Sequence, residues 1–216
     1  MLAEGADLQA AGVESAERVG YRIGHRIGYR FGKRALDLSA CLLSLVVVLP
    51  VLAVCALAIA GTSMGWPFYL QDRVGQHGRA FRIWKLRTMV RNADRLGPAL
   101  TQEHDPRVTR VGRWLRRWSL DELPQVFNIL AGQMSLVGPR PELPSIVETY
   151  TPAQREVLLA KPGLTGWSQV NGRDSLGITQ KLRLDRAYVE ARTLWMDVKI
   201  LAMTVPAVLS GDGIKR

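Results

Sequence analysis

One long apolar stretch near the N-terminus dominates the hydrophobic pattern of the chain. Residues 38–61 contain no charged side chain. As one straight helix they would extend about 36 Å, enough to cross a hydrocarbon core of about 30 Å. Pro50 falls near the middle, where it removes the backbone donor to the Val46 carbonyl. The pattern therefore predicts a membrane helix that is kinked or broken at Pro50.

Basic residues flank this stretch on both sides. Residues 18–34 carry six Lys and Arg and no acid, and residues 73–117 carry twelve Lys and Arg against three acids. Positively charged flanks tend to stay in the cytoplasm, so a spanning helix would put one of them on the wrong side. The charges favour a re-entrant helix that leaves by the face it entered. A plain transmembrane helix with a proline kink is the alternative.

A repeat of period four lies in the N-terminal basic flank, at residues 21–32. On a helix this period aligns the arginines on one stripe and Ile23, Ile27 and Phe31 on a neighbouring stripe. Each glycine of the repeat costs about 1 kcal/mol of helix propensity, whereas an anionic membrane surface contributes about 1 kcal/mol per basic residue. Residues 1–34 are therefore predicted to be partly disordered or bound to the membrane surface.

The pattern after the apolar stretch predicts a mainly α fold with a small β-hairpin, an α+β class. Two β-type runs flank the turn Gly75-Gln-His-Gly78. Ser119 and Glu122 have capping-box spacing, which predicts a helix that begins there and ends at Gly132. Further helices are expected at 110–118, 152–160 and 178–210, with a bend at 138–144 and a loop at 161–166. The charged tail helix is expected to be interfacial or in the core rather than spanning.

Three parts follow from this organisation. Residues 1–34 form the basic segment, residues 35–62 a re-entrant membrane helix broken at Pro50, and residues 63–216 a cytoplasmic catalytic domain. The helices at the membrane surface are expected to be amphipathic, so the whole is predicted to be a monotopic membrane protein.

Composition narrows the class of partner. The formal charge of +10 and the isoelectric point near 10.2 require an anionic partner or surface. Nucleic acid, phospholipid headgroups and phosphorylated small molecules all satisfy this requirement. Cys41 and Cys55 lie in the apolar stretch, and the three histidines are scattered. Disulfide frameworks and zinc sites are therefore not expected.

The adjacent carboxylates Asp121 and Glu122 are the strongest candidates for chemistry. They have a purely structural interpretation, because acidic residues in a first helical turn complement the helix dipole. Their surroundings favour catalysis, since Arg116 and Arg140 lie nearby in a segment more basic than capping requires. A helix N-terminus would lower the pKa of a carboxylate and keep it ionised. Mg²⁺ on the carboxylates and arginines on phosphate oxygens would then remove the repulsion between nucleophile and substrate.

Three further cations are candidate phosphate ligands. Arg140 lies between Pro139 and Pro141, whose rings fix φ on both sides and suit a guanidinium held at one angle. Its structural alternative is a loop arginine that caps a helix or pairs with a nearby acid. Lys85 in a strand and Arg173 in a turn could also face a ligand, although either could equally be solvated.

Several motifs in one order complete the picture, and they cover residues 33–210. The first motif is Lys33-Arg34 with Asp37, just before the apolar stretch. The others are Gln71-Asp-Arg-Val-Gly75, Phe81-Arg-Ile-Trp-Lys-Leu-Arg-Thr-Met89, Asp105-Pro-Arg-Val-Thr-Arg-Val-Gly112, Ser119-Leu-Asp-Glu-Leu-Pro-Gln125, Met134-Ser-Leu-Val-Gly-Pro-Arg-Pro141 and Lys161-Pro-Gly-Leu-Thr-Gly-Trp-Ser-Gln-Val-Asn-Gly-Arg173. With these motifs the chain resembles bacterial sugar transferases of the monotopic phosphoglycosyl transferase family.

This resemblance implies a reaction and a place for it. A sugar-1-phosphate would pass from a UDP-sugar to a polyprenol phosphate such as undecaprenyl phosphate, with Mg²⁺ as cofactor and release of UMP. Asp121 would be the nucleophile that forms a covalent phosphosugar intermediate, and Glu122 would be its partner at the Mg²⁺ site. Around the diphosphate or nucleotide would lie four cations, Lys85, Arg116, Arg140 and Arg173. The expected location is the cytoplasmic face of the bacterial inner membrane, at the first membrane step of glycoconjugate or exopolysaccharide synthesis.

Two departures from the family pattern are visible. Leu49 precedes the proline where relatives often have serine, and the basic repeat has no counterpart. Some relatives carry additional N-terminal transmembrane helices, for which the first 33 residues are too few, so the resemblance implies the minimal catalytic form.

The expected partners are a UDP-sugar, a polyprenol phosphate and membrane phospholipids, and a homodimer is left open. Nucleic acid is not expected, because the carboxylate pair would repel it unless metal were bound. The alternative is a membrane-anchored binding or scaffold protein for anionic partners. Neither the sugar nor the pathway follows from the sequence.

Overall fold

The computed structural model describes residues 2–98, 101–102, 104–172 and 175–210, with side chains described from residue 28 onward. The chain divides into two compact units, residues 1–36 and residues 37–216. The elements that carry the candidate residues all belong to the second unit. The proposed three-part division of the chain stays a prediction.

Helix α1 runs from Leu2 to Thr62 and continues through Pro50, so the structure does not show the break predicted there. Its part from Gly28 to Thr62 is the one helix in the described residues long and apolar enough to cross a membrane. On one side Cys41, Leu52 and Cys55 are buried, and on another large aliphatic side chains stay exposed. The helix therefore combines a face that packs on protein with a bare apolar face. A re-entrant course remains a prediction.

The predicted β-hairpin is confirmed. Strands β1 (Phe68–Val74) and β2 (Ala80–Leu86) pair antiparallel, with Val74 opposite Ala80. The turn between them contains a 3₁₀ segment, Gln76–Gly78. Positive φ at Gly78, where glycine has no Cβ penalty, helps to close it. On β2, Ile83 packs in one cluster with Cys41 of α1 and with Val126 and Ile129.

The capping-box prediction at Ser119 is wrong. Helix α2 (Arg110–Arg117) ends before it, and Ser119 has φ of 54° with no side-chain cap. Leu120–Glu122 form a 3₁₀ turn, and α3 begins only after Pro124 and spans Gln125–Leu130. Proline has no N–H and a fixed φ, so it fits the start of a helix better than its interior. Asp121 and Glu122 therefore lie on a tight turn and not in the first turn of an α-helix.

A parallel strand pair forms the next layer, and sequence analysis missed it. Strand β3 (Ser135–Val137) pairs with β4 (Gly163–Thr165), in the segment predicted to be a loop. A Cβ at Gly138 would collide with the Lys161 carbonyl oxygen, so the close approach requires glycine. The short helix α4 (Pro144–Val147) follows, and the helix expected at 152–160 is a 3₁₀ segment, Gln154–Leu159.

Three helices follow in the described residues: α5 (Trp167–Val170), α6 (Ile178–Ala191) and α7 (Leu194–Ser210). The tail predicted as helical thus divides into two helices. Asp197 of α7 is fully buried and accepts a 2.6 Å hydrogen bond from the Tyr188 hydroxyl of α6. Trp195 stays largely exposed. Helix α7 is therefore a core helix on the side of Asp197 and exposes an aromatic residue at its beginning.

Asp37 ties α1 to this domain. Its carboxylate is buried and accepts from the Ser135 hydroxyl and the Leu136 amide, both at 3.0 Å. A buried carboxylate with hydrogen-bond partners holds the part of α1 at Asp37 against β3.

Candidate active site

One cleft of about 1260 Å³ contains the predicted site residues that the structure describes. Its wall includes Lys85, Arg116, Asp121, Glu122 and Arg140. These residues lie on β2, on α2, on the 3₁₀ turn and in the loop after β3, so four separate segments converge. Arg173 lies outside the described residues, and its role stays a prediction.

Glu122 is the anchored member of the carboxylate pair. Its Oε1 atom accepts from the Lys85 ammonium at 3.2 Å and from the Arg140 guanidinium at 3.0 Å. Burial alone would raise the pKa of Glu122, but Arg140 and Lys85 outweigh it and hold the pKa well below its usual range. Glu122 is therefore ionised and its charge is compensated by two cations.

Asp121 has a different environment. Within the described part of the chain its side chain makes no hydrogen bond or ion pair. Burial raises its pKa, and the charge of Glu122 raises it further, while Lys85, Arg116 and Arg140 act in the opposite direction. The expectation that a helix N-terminus lowers this pKa is wrong, because the residue lies on a 3₁₀ turn in a low-dielectric cleft. Asp121 is thus a carboxylate whose charge lacks a partner.

The guanidinium of Arg116 is held on the wall beside Asp121. Its Nε donates to the Thr88 hydroxyl at 2.9 Å and its Nη1 to the Thr101 hydroxyl at 3.2 Å. Neutral hydroxyls orient the guanidinium without cancelling its charge. Of the basic residues that precede the pair in sequence, Arg113 and Arg117 do not line the cleft.

The loop that carries Arg140 is clamped from two sides. The amide of Gly138 donates to Thr165 O and the amide of Gly163 donates to Pro139 O, both at 2.9 Å. From the hairpin, Arg73 Nη1 donates to Pro141 O at 3.0 Å. The two prolines that flank Arg140 thus offer their carbonyls to different neighbours, which fixes the loop.

Asp185 of α6 holds the same loop by a hydrogen bond from the Arg140 backbone. It is 4 % exposed and accepts hydrogen bonds from the backbone of Arg140 and from Ser168. Burial raises the pKa of Asp185 to about 6, although those hydrogen bonds favour its ionised form. This carboxylate does not line the cleft, so it acts through the residues that do.

Sequence reasoning missed two residues of this arrangement. Arg73 lies in a quoted motif, and its alternation with Gln71 in β1 was the available signal for a shared face. Asp185 is one acid in an amphipathic helix pattern, where nothing distinguishes a buried acid from a solvated one. Both become visible only through tertiary contacts.

The donor set fits a divalent cation only in part. In the described ranges no group of three or more His, Cys, Asp or Glu side chains could hold a metal ion. Asp121 and Glu122 supply two carboxylates, which is the number that a phosphate-bound hard cation commonly takes from protein. Uncompensated charge on Asp121 also favours a cation there. The pair therefore fits a cation that is completed by substrate phosphate and water.

The chain is similar to known proteins over most of its length. The family model described as bacterial sugar transferase matches residues 28–211. An undecaprenyl-phosphate glucose phosphotransferase from Komagataeibacter xylinus is 42% identical over 191 residues, which cover 80% of this chain and 35% of the relative. The chain thus spans about a third of that relative's length.

Shorter relatives match over nearly their whole length. An uncharacterized sugar transferase from Bacillus subtilis is 40% identical over 185 residues, covering 85% of this chain and 90% of the relative. An exopolysaccharide production protein from Sinorhizobium fredii is 37% identical over 196 residues, covering 84% and 87%. The family model's match at residues 28–211 includes every residue that lines the cleft, from Gly65 to Val208. The chain belongs to the bacterial sugar transferase family.

Proposed function

We propose that this chain is a phosphoglycosyl transferase that moves a sugar-1-phosphate from a UDP-sugar to a polyprenol phosphate and releases UMP. The names of the relatives support this donor and acceptor, since one that is 42% identical is a UDP-glucose:undecaprenyl-phosphate glucose-1-phosphate transferase. The observation that carries the proposal is the unequal carboxylate pair. Asp121 has no hydrogen-bond partner in the described chain, and beside it Glu122 is held by two cations.

The first half of the reaction uses Asp121 as the nucleophile. Its carboxylate oxygen attacks the phosphorus that bears the sugar, an acyl phosphate bond forms, and the bond to the bridging oxygen of UMP breaks. The electron pair leaves with UMP, so no proton is required for this departure. An unpaired carboxylate suits the role, because no hydrogen bond has to be broken before attack.

In the second half, an oxygen of the polyprenol phosphate attacks the same phosphorus. The bond to Asp121 breaks, which yields the polyprenol diphosphosugar and restores the carboxylate. Two displacements at one phosphorus make the sequence ping-pong, with UMP released before the acceptor reacts.

The cations of the cleft neutralise the phosphates. Arg116 retains its full charge beside Asp121, where developing charge on the phosphoryl oxygens needs a partner. Lys85 and Arg140 are tied to Glu122 and would shift part of their hydrogen bonding to the diphosphate when it binds. Asp121 and Glu122 would hold Mg²⁺, which would supply charge neutralisation to the phosphates when bound. We retain Arg173 as a further phosphate ligand.

We further propose that the chain is monotopic on the cytoplasmic face of the inner membrane. The two basic flanks and the bare apolar face of α1 support a helix that enters and leaves by one side. Single cysteines at residues 20 and 70, in a background without Cys41 and Cys55, can be labelled with an impermeant thiol reagent on intact cells. Both should be protected from the reagent, and labelling of only one would contradict this topology.

Release of UMP tests the reaction directly. Purified protein in nanodiscs is supplied with Mg²⁺, undecaprenyl phosphate and a panel of UDP-sugars, with Asp121→Asn as the variant. We expect release with one donor, lost in the variant by a factor of about 10³ or more and lost on chelation of Mg²⁺. Without acceptor, the wild type should release one equivalent of UMP.

Two outcomes would contradict the proposal. Substantial turnover in Asp121→Asn would exclude the assigned nucleophile. No release with any donor, from folded protein, would favour a membrane-anchored binding or scaffold protein.

A further inference from the structure

Arg87 lies at the end of the apolar helix and has no assigned role. It follows β2 directly, and its Nη2 donates to the Ser63 carbonyl at 2.7 Å and to the Ser63 hydroxyl at 3.2 Å. Ser63 is the first residue after α1. The guanidinium is therefore fixed at the point where the chain leaves the apolar stretch. Its positive charge also interacts favourably with the negative, C-terminal end of the α1 helix dipole.

The remaining donors of this guanidinium have no acceptor in the described part of the chain. Arg87 Nε is buried, and no described residue accepts a hydrogen bond from Nε or Nη1. A buried charged donor without a partner is costly, and native structures rarely retain one without a ligand or water. Neutral Ser63 does not cancel the charge either. These contacts are typical of a cation that binds an anionic ligand.

Gly65 makes room for this guanidinium. Its φ is +112°, and a Cβ placed there would lie 2.6 Å from Arg87 Nη1. Any larger residue would push the guanidinium aside and would also be strained at that φ. The loop after α1 thus leaves space beside the unpartnered donors.

Arg87 also lies on the same face of its extended segment as Lys85, one of the cations that contact Glu122. Alternate residues of an extended strand share a face, so Arg87 lies about 7 Å along the chain from Lys85. Both line the cleft, together with Gly65 and the largely exposed Trp66. Lys85 in turn contacts Glu122 at 3.2 Å. A row of cations therefore leads from the end of the apolar helix to the carboxylate pair.

We propose that Arg87 binds the phosphate monoester of the lipid-linked acceptor as it enters the cleft. This inference rests on the proposed function. The acceptor's hydrocarbon chain stays in the membrane, so its phosphate has to approach from the side where α1 ends. The soluble UDP-sugar has no such constraint. Phospholipid headgroups share the phosphate chemistry, but Arg87 lies on the wall of the same cleft as Asp121, where a substrate phosphate must arrive.

Binding of a short acceptor tests the inference without turnover. Farnesyl phosphate is titrated against the protein in phosphatidylcholine nanodiscs, for wild type, Arg87→Gln and the control Arg82→Gln. Arg82 lies on the opposite face of β2, with its side chain 73% exposed. We expect Arg87→Gln to weaken farnesyl phosphate binding roughly tenfold or more, and Arg82→Gln to leave it unchanged. Binding of UMP should be the same in all three.

Kinetics separate the two half-reactions. Arg87→Gln should raise the KM for undecaprenyl phosphate by a similar factor, while the KM for the UDP-sugar and the single equivalent of UMP released without acceptor stay as in wild type. Gly65→Ala should reproduce the acceptor effect by displacing the guanidinium. If Arg87→Gln does not fold, Arg87→Lys replaces it, with a smaller loss in the same direction.

Three results would overturn the inference. One is equal binding of farnesyl phosphate by Arg87→Gln and Arg82→Gln. Another is a matched loss of UMP binding or of UMP release, which would place Arg87 in the donor site. The third is a defect that appears only when phosphatidylglycerol is added to the nanodiscs, which would assign Arg87 to headgroups. Failure of the proposed function is distinct, because wild-type protein would then release no UMP while farnesyl phosphate binding could still be compared.

Discussion

The two sides of the carboxylate pair are built differently although their residues are adjacent. On the Glu122 side, two cations from β2 and from the loop after β3 meet one oxygen atom. That loop is itself held by β4, by Arg73 and by Asp185. On the Asp121 side the described chain offers no hydrogen bond, and Arg116 is bonded to hydroxyls instead.

The difference assigns separate tasks to two chemically similar groups. A carboxylate that binds two cations is stable and poorly nucleophilic, because its electron pairs are engaged. A carboxylate without partners is costly in the folded state and reactive, which is typical of functional sites. Glu122 therefore organises the cations, and Asp121 is left to react. The comparison predicts that stability falls when Glu122 loses its charge and does not fall when Asp121 loses its charge.

The largest combined loss of activity and stability is expected for Glu122→Gln. Loss of the carboxylate leaves Lys85 and Arg140 without a common partner, so both should move and activity should fall about 10²- to 10³-fold. The free energy of unfolding should also fall, because removal of one member of a partly buried ion pair leaves charges unpaired. UMP release and the melting temperature in detergent measure the two effects.

Asp121→Asn is the matched variant for this comparison. It should abolish turnover but leave the melting temperature unchanged or raised, since it removes a partly buried charge that no described residue pairs with. A lower melting temperature in Asp121→Asn than in Glu122→Gln would show that the assignment of roles is reversed.

Sequence patterns anticipated the parts of this fold that depend on local periodicity. The apolar helix and the hairpin each follow from the order of polar and apolar residues over one segment. The capping box at Ser119 failed because Pro124 favours a later helix start, a local effect that competes with the Ser-to-Glu spacing. The three-residue strand at Gly163–Thr165 is too short to show a period, and it forms because glycine lets two backbones approach.

The same limit applies to the site. Asp121, Glu122, Lys85 and Arg140 could be named in advance because their motifs carry a family resemblance. Their unequal environments could not, since the contacts of Glu122 join residues up to 37 positions apart in sequence. Asp185 depends on a contact between α6 and the loop after β3, and no feature of the helix sequence indicates it.

A smaller effect is expected for Arg140→Lys, which tests whether geometry or charge organises the Glu122 side. Lysine keeps the charge but not the planar fork, so it cannot contact Glu122 and a phosphate at fixed angles. We expect kcat/KM for the UDP-sugar to fall roughly tenfold. Arg155→Lys is the control, since Arg155 is exposed and does not line the cleft. Equal activity in both variants would mean that charge alone suffices.

The last effect concerns stability rather than activity and comes from Asp185, which contacts the same loop. Its pKa is raised by burial from the ordinary 3.8 to about 6 in the folded protein. Folding therefore favours the protonated form of Asp185. Its contribution to the free energy of unfolding is complete below pH 3.8 and is lost as the pH rises through 6. The free energy of unfolding changes by about 3 kcal/mol over this range, since one pKa unit corresponds to about 1.4 kcal/mol.

Asp185→Asn carries a neutral side chain at every pH, so it isolates this contribution. The unfolding free energy of the variant minus that of wild type should increase between pH 4 and pH 6.5 and then level off. Thermal unfolding in one detergent at several pH values measures it, with Asp72→Asn as the exposed control. A difference that stays constant with pH would mean that the pKa of Asp185 is the same in the folded and unfolded protein, so its burial in contact with the Arg140 backbone would have no effect on its titration.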